Sequence, residues 1–321
     1  MLGPDGVDHQ RVVGFPELIA PGALLVVNDT RVRRARIFGR RLPGGGRVEL
    51  LLLGAHGTDA GRERWRALGR ANKPLVPGTS IDCGPLGFRV VERGADGELV
   101  VESERDAPVE GALERIGRMP IPPYLNRADD DQDVQRYQTV FARVTGSAAA
   151  PTAGLHLSQR LLDRLAARGV EIGRLTLHVG TGTFRTVTAA DLDEHSMHTE
   201  PYAIEPELAA QIARARERAR PVVAVGTTVV RALESAADPA RPGQVRTGAR
   251  ETGLLIQPGY RFRVVDALLT NFHAPKSTLL ALVSAFAGRE RVLDAYRAAL
   301  AADYRFLSYG DAMWIPERLS G

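Results

Sequence analysis

The stretch SAAAPTAGLH at 147–156 sets Thr152, Gly154 and His156 among small residues and a proline, a composition suited to lining a pocket rather than to a helix, strand or surface loop. Three more apolar runs stop at short polar, glycine-bearing stretches. TLHVGTGTF (176–184) carries His178, Gly180, Gly182 and Phe184, and VVAVGTT (222–228) carries Gly226, Thr227 and Thr228. LLTNFHAPKST (268–278) carries Asn271, Phe272 and His273. Imidazoles exchange protons near neutral pH, and glycines let backbone N–H groups come close to a ligand. A helix opening at Thr227 and containing Arg231 and Glu234 would offer its first N–H groups to a carboxylate or phosphate. Each segment alone has an ordinary structural explanation, a cap or a satisfied buried histidine. Four together point to an enzyme.

Two familiar motifs are absent. Arg185 stands where a dinucleotide fingerprint beginning at Gly180 needs its third glycine, and Lys276-Ser277-Thr278 lacks the leading glycines of a phosphate-binding loop. In EHSMHTE (194–200), His195 and His198 with flanking carboxylates resemble a divalent-ion site, but the spacing is not H-E-x-x-H, and no metal is expected. Without a metal, the two histidines are further acid/base candidates.

These residues need a scaffold that delivers strand ends to one place. The run ALLVV after Pro21-Gly22 reads as a buried strand ending at Asn28-Asp29-Thr30. Ser158 is a candidate N-cap for a helix with a Leu161, Leu162, Leu165 stripe that stops at Gly169. Leu175, Leu177 and Val179 alternate as a strand, a helix is expected over 206–220, and 222–225 is the next strand. Strand, polar turn and helix in succession give an α/β domain with a largely parallel sheet, in which ligands sit beyond the carboxyl ends of the strands.

Between 34 and 117 the apolar pieces are short and punctuated by turns such as Pro43-Gly44, Pro77-Gly78 and Asp96-Gly97, which predicts a small antiparallel β-barrel. The expected organisation is therefore an α/β catalytic domain of residues 1–33 and 118–321 with a β-barrel domain of 34–117 inserted. The acidic patch at 129–133 reads as a solvated loop.

With 321 residues, 44% hydrophobic and 25% charged, the composition is that of a soluble globular protein. No apolar run approaches the roughly 20 residues of a membrane helix, and no signal peptide is visible. A single cysteine, Cys83, excludes an intrachain disulfide and cysteine-rich metal sites and fits a reducing cytoplasm. The net charge is only +4, yet seven arginines and no acid lie between Thr30 and Val48. A polyanionic partner and a solvated arginine-rich face both account for that run.

Taken in order, NDTRV (28–32), GRMPIPPY (117–124), YQTVFA (137–142), AAPTAGLH (149–156), TLHVGTGTF, EHSMHTE, VGTTVVRALE (225–234), VDALLTNFHAPKSTL (265–279), VSAFAG (283–288) and YRFLSYGDAM (304–313) closely resemble the S-adenosylmethionine:tRNA ribosyltransferase-isomerases of queuosine biosynthesis. The blocks span nearly the whole chain. Members of that family normally begin with a further segment bearing a D-x-S-R-L-type element; here it is missing ahead of Met1, which is read as a start assigned too far downstream, the alternative being a chain that lacks one strand and part of its pocket rim.

The resemblance implies that the ribosyl part of S-adenosylmethionine (AdoMet), a co-substrate, is moved to the amine of 7-aminomethyl-7-deazaguanine in tRNA. Epoxyqueuosine forms, and adenine and methionine are released. A sulfonium acidifies its C5′ hydrogens, so a base removes one, adenine is expelled, the amine attacks, and ring closure releases methionine. His156, His178 and His273 are placed nearest this work, with His195 and His198 as further candidates. Thr152, Gly154, Gly180, Gly182, Gly226, Thr227, Thr228, Arg231 and Asn271 are expected around AdoMet, and Phe184 or Phe272 against adenine. Asn28, Asp29, Thr30, Arg31, Arg34, Arg36 and Arg40 are expected to meet tRNA, whose unpaired anticodon base is open to capture. A cytoplasmic monomer with no membrane attachment is expected. The rival readings are a catalytically silent tRNA-binding module and a metal-dependent hydrolase centred on His195 and His198.

Overall fold

The computed structural model describes residues 1–3, 6–94, 97–180, 192, 197 and 199–318. Contacts divide the chain into two compact units: residues 1–30, 139–144 and 151–321 form one, and 31–138 with 145–150 form the other.

The first unit is built on a sheet that has seven strands among the described residues, in the order Gly248–Thr252, Glu200–Ile204, Glu171–Leu177, Leu24–Asn28, Val222–Val225, Ala267–Asn271, Ala312–Ile315. The four central strands are paired as in a parallel sheet: Glu171–Leu177 lies beside Leu24–Asn28, which lies beside Val222–Val225, which lies beside Ala267–Asn271. The outer strands run antiparallel. Burial follows from this placement. Leu24–Asn28 and Val222–Val225 are buried at every position, the continuous apolar signature of strands covered on both faces.

Helices close the faces as the sequence predicts. Gln159–Ala167 starts at Ser158, whose hydroxyl accepts from the Leu161 N–H, and it buries Leu161, Leu162 and Leu165. The expected 206–220 helix is Pro206–Glu217. It stops short because Ala219 takes a left-handed conformation and the Arg220 N–H turns back to the Ala215 carbonyl.

The second unit contains a closed antiparallel barrel in the order Glu98–Ser103, Arg62–Ala71, Arg47–Asp59, Arg36–Leu42, Ser80–Cys83, Leu86–Arg93. Ile37, Leu50, Leu52, Trp65, Ile81, Phe88 and Val101 fill it. Cys83 is buried in that core, and burial pushes its thiol up to about 12, so it is an inert packing residue. The same unit holds 104–138. There the acidic patch is not simply a solvated loop: Asp133 is buried and takes both arms of Arg127 at 2.6 and 2.8 Å, while Asp129 pairs with Arg118 and accepts from the Met119 N–H.

No helix among the described residues is long and apolar enough to cross a membrane.

Candidate active site

Parallel order gives the candidate site its geometry. His178 follows the end of Glu171–Leu177, Asn28 ends the next strand, Gly226 follows the third, and Asn271 ends the fourth with His273 two residues on. All four carboxyl ends therefore face one edge, across three strand spacings or about 14 Å.

Asn28 and its two successors hold the His178 end in place. The Asn28 amide donates to the Leu177 carbonyl at 2.9 Å, and its oxygen accepts from the N–H groups of Leu177 and Thr30. Asp29 accepts from Thr176 Oγ1 at 2.6 Å and pairs with Arg143 at 2.9 Å. Thr30 Oγ1 lies 2.8 Å from His178 Nδ1. Asn28, Asp29 and Thr30 are all buried.

On the opposite side of the edge, the short 3-10 turn Thr152–His156 is tied to the strand Ala267–Asn271. Thr152 Oγ1 donates to Asn271 Oδ1 at 3.0 Å, and Asn271 Nδ2 donates to His156 Nε2 at 2.9 Å and to the Leu307 carbonyl at 3.4 Å. The Leu307 carbonyl can only accept, so it orients the amide, and His156 Nε2 is the acceptor. The ring proton of neutral His156 then sits on Nδ1. Burial lowers the His156 pKa, with Asp311 opposing, and keeps the ring neutral at pH 7.

Gly154 allows this turn to lie flat. A Cβ there would come within 2.7 Å of Phe141 Cζ and 2.8 Å of Thr139 Cγ2. Gly226 has φ +93°, and a Cβ there would stand 3.4 Å from Ala153 Cβ. The helix Thr227–Ala236 follows with no side-chain cap, and the N–H groups of Thr227, Thr228 and Val229 have no acceptor among the described residues. This is a concentrated positive end of a helix dipole.

His273 is deeper. Its Nε2 lies 2.9 Å from Thr270 Oγ1, its backbone N–H donates to Tyr296 Oη at 2.7 Å, and burial pushes its pKa down to about 4. Phe272 is buried too, with Tyr296, Tyr304 and Phe306 at ring-centroid distances of 5.2, 5.8 and 5.0 Å. Arg231 is spent inside the protein: it pairs with the buried Glu200 and donates to the carbonyls of Leu254 and Thr252. Glu200 in turn accepts from the Gly180 N–H at 3.0 Å. Glu234 accepts from the N–H groups of Arg263, Val264 and Val265 and from Tyr260 Oη.

Comparison with known proteins matches residues 3–315 to the family described as queuosine biosynthesis protein. The chain belongs to that family. A relative from Sorangium cellulosum named S-adenosylmethionine:tRNA ribosyltransferase-isomerase is 57% identical, with 96% of this chain and 88% of that protein covered. One of the same name from Xylella fastidiosa is 50% identical, with 99% of this chain and 89% of that protein covered. A crystal structure described as S-adenosylmethionine tRNA ribosyltransferase from Thermotoga maritima is 32% identical, covers 94% of this chain and 85% of that chain, and superposes with a TM-score of 0.48.

Within this family member, His156, His178, Thr152, Gly154, Gly180, Gly226, Thr227, Thr228 and Asn271 lie on or beside the one sheet edge, and His273 lies behind it. Gly182, Phe184, His195 and His198 lie outside the described residues. Of the arginines in the 30–48 run, Arg34 donates to the Gly117 and Glu114 carbonyls, and Arg36 pairs with Glu49 and donates to the Ile121 carbonyl. Arg31 and Arg40 are exposed.

Glu200 is a positioning residue that sequence reasoning weighed only as a metal neighbour. Its signal is phase: in Glu200–Ile204, Glu200 shares the buried face with Tyr202 and Ile204. Tyr296 was missed. It lies on the side of Arg289–Ala301 that buries Val292, Ala295 and Ala299.

Proposed function

We propose that this chain transfers and isomerises the ribosyl moiety of AdoMet onto 7-aminomethyl-7-deazaguanine in tRNA, giving epoxyqueuosine-tRNA with release of adenine and methionine. One observation carries the reading furthest. In a chain matched to the queuosine family from residue 3 to 315, the parallel sheet brings two candidate acid/base histidines and an uncapped helix start to a single edge.

The geometry supports the following roles. His178, anchored through Nδ1 on Thr30, is the base for the C5′ proton. His156, neutral and protonated on Nδ1 because Asn271 occupies Nε2, is a hydrogen-bond donor to the reacting nucleoside. The N–H groups of Thr227, Thr228 and Val229 take the methionine carboxylate. Gly154, Gly180 and Gly226 let the backbone approach the nucleoside. His273, Phe272 and Arg231 act from behind, as supports.

The buried Asn28, Asp29 and Thr30 are assigned to holding His178 rather than to touching tRNA. Residues 1–33 and 118–321 are assigned the catalysis, and the inserted domain 34–117 is assigned tRNA binding. We further propose a cytoplasmic monomer that needs only AdoMet as co-substrate. The deciding experiment incubates the protein with AdoMet and precursor-bearing tRNA, then follows adenine release and the mass of the modified nucleoside. An unchanged nucleoside with no adenine released overturns the reading.

A further inference from the structure

The barrel distributes its arginines unevenly. Around much of its wall they are neutralised: Arg64 pairs with Asp59 and Glu102, Arg66 with Glu98, Arg89 with Glu104 and Arg105 with Asp82. Elsewhere on the barrel they are not. A cavity of about 370 Å³ is lined by residues 69–75 together with Arg93, Gly97 and Leu99, so that Arg70, Lys73 and Arg93 meet around it without a carboxylate among its described lining residues.

Strand register extends this basic surface. Val48 pairs with Ala71 and Glu49 with Arg70, and the side chains of Val48 and Leu50 point into the barrel. Alternation therefore turns Arg47 and Glu49 outward. Arg40 is paired directly with Arg47, so both project from the same outer face. Arg41 donates to the Pro74 carbonyl and ties that strand to the cavity wall. Two carboxylates lie opposite these cations and both are engaged elsewhere: Glu49, opposite Arg70, by Arg36 at 3.3 Å and Asp82, opposite Arg40, by Arg105 at 2.8 Å. Arg40, Arg47, Arg70, Lys73 and Arg93 are exposed, and none has an ion-pair partner among the described residues.

Two like charges directly opposite in an antiparallel pair oppose folding. Among the described residues the Arg40–Arg47 pair gains no ion pair in return, since Asp82, opposite Arg40 on the neighbouring strand, is held by Arg105, so its benefit lies with something outside the chain. That something is anionic and extended, because the cations come from four strands and an intervening loop rather than from one closed pocket. Among the described residues no aromatic side chain lines the cavity for a base to stack on, so the contact is to backbone phosphates.

We propose that this end of the barrel is the docking site for the phosphodiester backbone of the tRNA substrate, gripped by Arg40, Arg47, Arg70, Lys73 and Arg93. The identity of the RNA rests on the function proposed above; the site itself rests on the barrel. It shifts RNA binding from Arg34 and Arg36, which are committed to internal carbonyls and Glu49, to residues 70, 73 and 93, far along the sequence from the arginine run.

The test measures fluorescence anisotropy of labelled precursor-bearing tRNA from 50 to about 300 mM salt for wild type, Arg40→Gln/Arg47→Gln and Arg70→Gln/Lys73→Gln/Arg93→Gln. Every phosphate left without its cation lowers the slope of log affinity against log salt by roughly 0.7–0.9. Both variants are expected to bind more weakly with a shallower slope, raise KM for tRNA, and keep kcat and KM for AdoMet. Arg64→Gln, on the same barrel but paired with Asp59 and Glu102, is expected to bind with the wild-type slope. Thermal unfolding of every variant confirms an intact fold. Slopes equal to wild type in both variants overturn the docking site, even if product forms. Shallower slopes without any nucleoside product uphold the site and overturn the reaction instead.

Discussion

Asn271 Nδ2 donates to His156 Nε2 across 2.9 Å, joining residues 115 positions apart and fixing which nitrogen of the imidazole carries its proton. Neither residue could set this alone. The Leu307 carbonyl orients the amide, the amide selects the tautomer, and burial keeps the ring uncharged.

Replacing Asn271 tests the arrangement directly. Asn271→Ala frees Nε2 and lets both tautomers populate, so kcat is expected to fall by about 100-fold, within the range that positioned acid–base groups supply, with a small change in KM for AdoMet. Asn271→Asp places a carboxylate beside the ring and raises the His156 pKa, moving the acidic limb of the rate profile to higher pH. The pH dependence of kcat and ¹⁵N chemical shifts of the ring report both effects. A fall in kcat with unaltered ¹⁵N shifts would separate Asn271 from the tautomer.

Parts of this arrangement are readable in the sequence and parts are not. Leu24–Asn28 and Val222–Val225 announce themselves as continuous apolar runs, and Ser158 does so as a cap. Turn residues reveal the barrel, yet its strand Arg62–Ala71 is hard to see because only Trp65 and Ala67 face fully inward, between charged neighbours. Side-chain duties are less legible. Asp29 and Thr30 look like a polar rim, but their partners Thr176 and His178 lie 147 and 148 residues away, and that distance in sequence hides their burial. Arg231 reads as an anion holder for the same reason: Glu200 reaches it only through the pairing of Glu200–Ile204 with the sheet.

The Glu200–Arg231 pair makes a second prediction. Both groups are buried, so breaking the pair is costly, and removing Glu200 takes the carboxylate from the buried Arg231 at a cost of about 3–5 kcal/mol. Glu200→Gln and Arg231→Met should each lower the denaturant midpoint, and the double variant should recover much of the loss. If the pair positions the Gly180 end of its strand, the double variant still shows reduced kcat, because the acceptor for the Gly180 N–H is altered. A double-mutant cycle in urea, read beside single-turnover rates, distinguishes positioning from stability.

His273 ties stability to pH. In the unfolded chain its imidazole titrates near the ordinary 6.5, and in the folded protein burial pushes it down to about 4. Between these values the unfolded state holds a proton that the native state does not, so stability rises with pH across that window. The contribution is complete above about 6.5 and is lost as pH falls toward 4, at about 1.4 kcal/mol per unit. His273→Gln removes this slope while keeping a partner for Thr270 Oγ1. Urea unfolding at pH 5 and pH 7 should show a smaller difference in the variant than in wild type, and an identical difference would assign the pH dependence to other groups.

Gly226 joins backbone conformation to the proposed AdoMet site. At φ +93° an alanine is strained by about 1–3 kcal/mol, and its Cβ would lie 3.4 Å from Ala153 Cβ, pressing on the turn that carries His156. Gly226→Ala is therefore expected to destabilise the protein modestly. It should also rotate the N–H groups of Thr227 and Thr228 away from the place proposed for the methionine carboxylate and raise KM for AdoMet more than it lowers kcat. Ala153→Gly in the same chain opens the contact but leaves the backbone strain. Recovery of KM in that double variant would place the defect in the packing between the turn and the helix start; persistence would place it in the backbone angle itself.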